Sequence, residues 1–195
     1  MRVSSIRLGP LATNCYRVEI GGRTVLVDPA DDSEALASFL GDTTVDAVVL
    51  THGHYDHVGG AWACGAAAVM IHRADLPYVD RFFPDHRPFD RYVDEGDEIV
   101  AGLTVLHTPG HSPGSVVLLA DGALFAGDLL FAGSIGRTDL PGGSPREMEE
   151  SLRRIGELPG DPIVYPGHGP TTTLDRERET NPFLVGIRST ERGQG

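Results

Sequence analysis

From Thr51 to His57 the chain reads Thr51-His52-Gly53-His54-Tyr55-Asp56-His57, which places three imidazoles and one carboxylate within six residues. Chance seldom supplies an H-x-H-x-D-H run, and its spacing suits metal coordination. In an extended segment His52 and His54 point to the same side, so both can reach one ion. If the chain then turns into a helix, Asp56 and His57 swing toward a neighbouring position. Imidazole nitrogens with one carboxylate suit zinc, iron or manganese, whereas calcium and magnesium ask for more oxygens.

One such run does not close a site. Three further candidates sit in glycine-rich turns. His111 lies in Thr108-Pro109-Gly110-His111-Ser112-Pro113-Gly114, Asp128 in Phe125-Ala126-Gly127-Asp128, and His168 in Tyr165-Pro166-Gly167-His168-Gly169-Pro170. Each alone reads more readily as a loop hydrogen-bonder; together with the first run they read as ligands on loops held by rigid strands. Asp28, before Pro29, is either a turn residue or an orienter of a ligand histidine. Arg137 and Asp139 form a structural ion pair or touch substrate. His72, His86 and His107 match no ligand position and read as packing or surface histidines. Cys15 and Cys64 form no C-x-x-C pair and read as reduced, buried small hydrophobes.

The elements that must carry these residues are legible from turn and apolar patterning. Strands are expected at Val3–Leu8, Cys15–Ile20 and Arg23–Val27, the last two joined by Gly21-Gly22. A short helix follows at Ser33–Leu40, capped by Ser33 and stopped by Gly41. Val45–Leu50 reads as a strand buried on both faces and leads straight into the histidine run. Ala61–Ala68 reads as helical, Val69–Ile71 as a strand, and Asp80–Asp94 as an irregular loop. Within that loop, Arg81 to Tyr92 is either a lid offering counter-charges or a solvated loop with an aromatic anchor. Strands resume at Glu98–Val100, Leu103–His107, Ser115–Ala120 and Ala123–Ala126, the last two turning at Asp121-Gly122. Ser144–Leu158 is the strongest helix: Ser144 caps it, Pro145 opens it, Glu147 completes a capping box, and Met148, Leu152, Ile155 and Leu158 form an apolar stripe. Pro162–Tyr165 is a last strand, followed by a short charged helix around Asp175–Thr180. Strand runs with helices between them predict layered sheets covered by helices.

Composition narrows the partners. The chain has 195 residues, 40% of them hydrophobic, 25 glycines, 14 prolines and a formal net charge of -12. That length suits one domain and buries a core without disulfides. Sixteen basic against 28 acidic residues argue against nucleic acid. No window approaches the ~18 apolar residues of a membrane span, and Met1-Arg2-Val3-Ser4-Ser5 lacks the layout of a secretory signal. The expectation is a cytoplasmic protein acting on a small molecule, with neither nucleic acid nor membrane as partner.

The set His52, His54, Asp56, His57, His111, Asp128 and His168 resembles the metal-ligand pattern of the metallo-β-lactamase superfamily. The contexts Thr13-Asn14-Cys15-Tyr16, Val27-Asp28-Pro29, Gly127-Asp128-Leu129-Leu130-Phe131 and Gly136-Arg137-Thr138-Asp139 are similar to its glyoxalase II-like branch, the hydroxyacylglutathione hydrolases, and above all the short bacterial type. The likeness runs from about Thr13 to Pro182. It implies an α/β fold, a four-layered αββα sandwich in one domain over 1–195, with metals at one edge of the two sheets. His52, His54 and His111 would bind the first of two divalent cations, Asp56, His57 and His168 the second, with Asp128 bridging. Zinc comes first, with iron or manganese as alternatives. Asp56 and Asp128 would be the catalytic carboxylates, and a hydroxide shared by the cations would attack a thioester carbonyl. Only Thr171–Gly195 follows the last ligand, too little for the C-terminal glutathione-binding helical domain of the larger enzymes. Three other readings stay open: a persulfide dioxygenase with a single iron, a lactone or ester hydrolase, and a metal-binding scaffold without turnover.

Overall fold

The computed structural model describes residues 1–192, and in it the strands fall into two sheets that follow the chain in order. The first holds β1 (Arg2–Leu8), β2 (Thr13–Ile20), β3 (Arg23–Val27), β4 (Ala47–Val49), β5 (Val69–Ile71) and β6 (Arg91–Tyr92), neighbours in space as in sequence. Its first three strands are antiparallel and the rest parallel. The second is built from β7 (Glu98–Val100), β8 (Leu103–His107), β9 (Val116–Ala120) and β10 (Ala123–Gly127), with a small hairpin β11 (Leu130–Phe131) and β12 (Ser134–Ile135) beyond it. β13 (Ile163–Pro166) and β14 (Thr172–Thr173) complete it in the order β14-β13-β10-β9-β8-β7. Helix α1 (Glu34–Leu40), α2 (Tyr55–Val58) and α3 (Leu76–Phe82) interrupt the first sheet; α4 (Pro145–Gly156), α5 (Leu174–Thr180) and α6 (Pro182–Arg192) accompany the second.

Period-two alternation makes the layers. On β3, Val25 and Val27 enter a central cluster with Tyr16, Val49, Leu118 and Phe125, so both sheets contribute to one buried seam. Leu26 between them points the other way, into a cluster with Leu36, Leu40, Val48, Val58 and Val79 beneath α1, α2 and α3. On the second sheet Val117 and Leu124 face outward onto Met148, Leu152 and Ile155 of α4, Leu174 of α5, and Leu184 and Ile187 of α6. Helix, sheet, sheet, helix is therefore the stacking order, the α/β sandwich expected. Among the described residues no helix is long and apolar enough to cross a membrane.

Local signals act as expected at most places. The Ser33 hydroxyl accepts from Leu36 N at 3.3 Å and Gly41 ends α1 at φ 53°. Gly21 and Gly22, at φ 57° and 75°, close the β2–β3 hairpin. The Ser144 hydroxyl accepts from Glu147 N at 3.2 Å, but Ser144 N donates to Gly110 O, so only half of the capping box forms.

Two expectations are corrected. Ala61–Ala68 is not a helix; it runs as tight turns, with Ala61 N donating to Val58 O and Ala63 N to Gly60 O. Gly65 takes φ 62°, and any side chain at Gly59 or Gly60 would meet the Ala30–Asp31 backbone, so packing overrides the helical preference of alanine. The stretch 80–94 is not wholly irregular, because α3 occupies its start and β6 its end. Pro77 in the first turn of α3 and Pro84 just beyond it were the punctuation that marks this helix.

Candidate metal centre

β4 is buried along its whole length, and the chain leaves it at Leu50 directly into the histidine run. Thr51 O accepts from Val116 N at 2.8 Å, which pins the start of the run to the second sheet. The chain bends at Thr51–His52, is extended at His54, and then enters α2 at Tyr55, which redirects Asp56 and His57. His111 comes from the β8–β9 connection, Asp128 from the residue after β10, and His168 from the turn after β13. All seven candidate ligands meet at the same end of the two sheets. Their ligand atoms gather in three overlapping groups, each within 4.8 Å: His52, His54 and His111; His52, His57 and Asp128; Asp56, His57 and His168. Asp128 lies between the outer groups, with Oδ2 3.6 Å from both His111 Nε2 and His168 Nε2 and Oδ1 3.5 Å from His57 Nε2.

The remaining ring nitrogens are tied to acceptors, and this decides which nitrogen each ring presents. Asp28 Oδ2 takes the His57 Nδ1 proton at 2.9 Å, Arg137 O that of His111 Nδ1 at 2.8 Å, and Leu11 O that of His168 Nδ1 at 3.3 Å. Thr51 Oγ1 donates to Asp28 at 2.6 Å and so receives the His52 Nδ1 proton at 3.1 Å. Each of these four rings turns its Nε2 toward the cluster. His54 instead turns Nδ1 inward, 2.8 Å from His111 Nε2.

Burial and charge sort the two pockets. Burial, with the His57, His111 and His54 rings around it, holds the His52 imidazole well below its ordinary range. Burial and then His111 bring His54 down to about 4. These rings are neutral at pH 7 and free to coordinate. In the other pocket burial opposes charge on His57, yet Asp128 and Asp28 raise it to about 9. Burial likewise opposes charge on Asp56, but the bond from His168 and the nearby His57 lower it to about 2. That pocket draws positive charge to itself.

The residues fit a pair of divalent cations. His52 Nε2 and Asp128 Oδ1 are buried without any hydrogen-bond partner. Such orphans cost about 1–3 kcal/mol each unless something supplies the missing contact. Imidazole nitrogens and carboxylates match the ligand chemistry of zinc or iron. Glycines allow the crowding: a side chain at Gly167 would run into Asp128 and His57, and one at Gly136 into the Asp128 carbonyl.

The side chains of the other candidates are engaged outside the ligand cluster. His72 and His107 stack on each other at 4.2 Å, and His86 stacks on Trp62 and bonds Asp80 at 2.9 Å. Arg137 and Asp139 form an exposed two-pronged ion pair at 2.7 and 2.8 Å. The 81–92 stretch is anchored: Phe89 is buried, and Arg91 pairs with Asp97 at 2.9 Å. Cys15 and Cys64 are both free thiols. Sequence reasoning missed Tyr78, whose ring meets His54 at 5.2 Å while its hydroxyl donates to Pro141 O at 2.6 Å. It also missed Asp75, a buried carboxylate touching both first-pocket loops. Neither lies in a ligand-like spacing, so only the tertiary fold reveals them.

The family model of the metallo-beta-lactamase superfamily matches residues 8–168. Hydroxyacylglutathione hydrolase GloC of Haemophilus influenzae is 30% identical, over 94% of this chain and 98% of its own. The crystal structure of TTHA1623 in a di-iron-bound form superposes with a TM-score of 0.82 at 42% identity, covering 93% of this chain and 100% of that one. The BLEG-1 B3 metallo-β-lactamase does so with a TM-score of 0.83 at 35% identity, covering 95% and 100%.

Proposed function

The chain belongs to the metallo-β-lactamase superfamily, and from that premise we propose that it is a two-metal hydrolase of 2-hydroxyacyl thioesters on a small thiol carrier such as glutathione. One observation carries the reading: seven donor atoms from four separate turns converge, with His52 Nε2 and Asp128 Oδ1 left without partners. Zinc is the first candidate; the di-iron form of a 42% identical neighbour supports iron equally. His52, His54 and His111 would hold one cation, Asp56, His57 and His168 the other, and Asp128 both. When bound, such a pair supplies a nucleophile from water at neutral pH and draws charge from a carbonyl oxygen.

The chain's own residues fix the conditions for that chemistry. Asp28, Thr51, Arg137 O and Leu11 O hold the imidazole protons on the outward nitrogens, so ligand lone pairs face one space. Asp56 is ionised across the physiological range, and Asp128 spans the distance between the pockets. A thiolate, with a parent pKa of about 8.5, leaves without a dedicated strong acid. The name of the Haemophilus relative supports this substrate class.

Purified, metal-analysed protein should release thiol from S-lactoylglutathione without oxygen uptake. Oxygen consumption on glutathione persulfide with one iron per chain would instead make it a dioxygenase, and turnover confined to lactones or β-lactams would replace the thioester. Asp128→Ala should lower kcat about 10³-fold or more and release metal, while far-UV circular dichroism stays native. Full activity at full metal content would rule out a bridging role.

A further inference from the structure

Asp75 closes the short 3-10 turn Arg73–Asp75 that leads into α3, and it is 0% exposed. Its carboxylate is occupied by donors from two ligand-bearing loops. Oδ2 accepts from Gly53 N and from the Ser112 hydroxyl, both at 2.7 Å, and Oδ1 accepts from Gly114 N at 2.6 Å. Gly53 stands between His52 and His54; Ser112 directly follows His111, and Gly114 comes three positions after it. The approach is close enough that a Cβ at Gly53 would lie 2.7 Å from Asp75 O, and one at Gly114 2.7 Å from the Asp75 carboxylate. The Ser112 hydroxyl is itself held 2.7 Å from that of Ser115.

None of these donors carries charge, and among the described residues Asp75 enters no ion pair. Burial pushes its carboxyl above the usual range in spite of its three bonds and of His72 nearby. A buried carboxylate left without a cation is costly, and backbone amides offset that cost only in part. The second pocket has Asp56 among its ligands and Asp28 behind His57. The first has three imidazoles and only the shared Asp128.

We propose that Asp75 is the positioning residue of the first metal pocket, joining the His52–His54 loop to the His111 loop through one buried carboxylate and so setting the affinity of that pocket alone. This rests on the first pocket holding a cation. Asp75→Asn keeps the side-chain shape but turns an NH2 group toward backbone N–H donors, while Ser112→Ala removes one of the three bonds together with the hydroxyl contact to Ser115.

The test reads Zn2+ affinity of the full chain by competition with a chromophoric chelator in two backgrounds. His168→Ala leaves the first pocket intact, and His54→Ala leaves the second. Asp75→Asn should weaken Zn2+ binding about tenfold or more in the first background and less than twofold in the second. Ser112→Ala should give the same pattern at smaller size, and it carries the comparison if Asp75→Asn loses its native circular dichroism. Equal losses in both backgrounds, or none in the His168→Ala protein, overturn the proposal. Wild-type protein that binds two Zn2+ with an indifferent Asp75→Asn sinks this inference and spares the hydrolase; wild-type protein that binds none sinks both.

Discussion

Asp28 is a non-glycine residue at φ 51°, a conformation that Asp and Asn tolerate better than other side chains. Of its two sequence readings, the structure places the carboxylate against the candidate ligand His57. Its backbone N donates to Val49 O at 3.2 Å, extending the β3–β4 pairing, while its carboxylate takes Thr51 N at 2.7 Å, the Thr51 hydroxyl and His57 Nδ1. Asp28→Asn keeps the left-handed backbone but removes the charge that orients the His57 ring. Metal affinity of the second pocket should fall about 10- to 100-fold, with a thermal midpoint only a few degrees lower by the usual scaling. Chelator competition and a melt measure both; an unchanged affinity would show that Asp28 is a turn residue and nothing more.

Between elements, the packing of α4 against the β8–β9 connection governs how His111 is presented. Gly110, at φ 140°, presses on the Met148 backbone, Gly110 O accepts from Ser144 N at 2.8 Å, and the Ser151 hydroxyl donates to Pro109 O at 2.7 Å. Gly110→Ala adds a clash and an unfavourable dihedral, each worth about 1–3 kcal/mol. Its urea midpoint should fall accordingly and one metal per chain should be lost; a stable variant with full metal would contradict the coupling of helix to loop. Most elements were legible because capping residues, paired glycines and period-two alternation act locally. Ser33, Ser144 and Gly21-Gly22 are examples. The candidate ligands were legible because their residue types are rare and their spacing is short. What was not legible depends on distant packing: the turns of 61–68 follow from contact with Ala30 and Asp31, and Asp75 acquires its meaning only from Gly53 and Gly114, 22 and 39 positions away.

For the molecule as a whole, the metal-free protein should carry the opposed titrations of its two pockets as an optimum in stability. His54 titrates near 4 when folded and near 6.5 when unfolded, so the unfolded chain takes the proton first and stability falls as pH drops below about 6.5. His57, raised to about 9, contributes stability that is complete below about pH 6.5 and is lost as pH climbs through 9. Urea unfolding of chelator-treated protein at acid, neutral and alkaline pH should therefore peak near pH 6.5, and zinc loading should remove the alkaline decline by taking the place of the His57 proton. A stability that rises steadily from neutral to alkaline pH in the stripped protein would contradict this assignment. The sandwich also has a consequence in time. His57 Nε2 and His168 Nε2 are 3.4 Å apart in space yet 111 positions apart along the chain. A ribosome delivers the early donors long before the late one, so the nascent chain carries an open coordination sphere for most of its synthesis. If the second pocket holds an ion as proposed, its retention would require that translation has passed position 168, and a chain ending earlier would lack the donor needed to keep it.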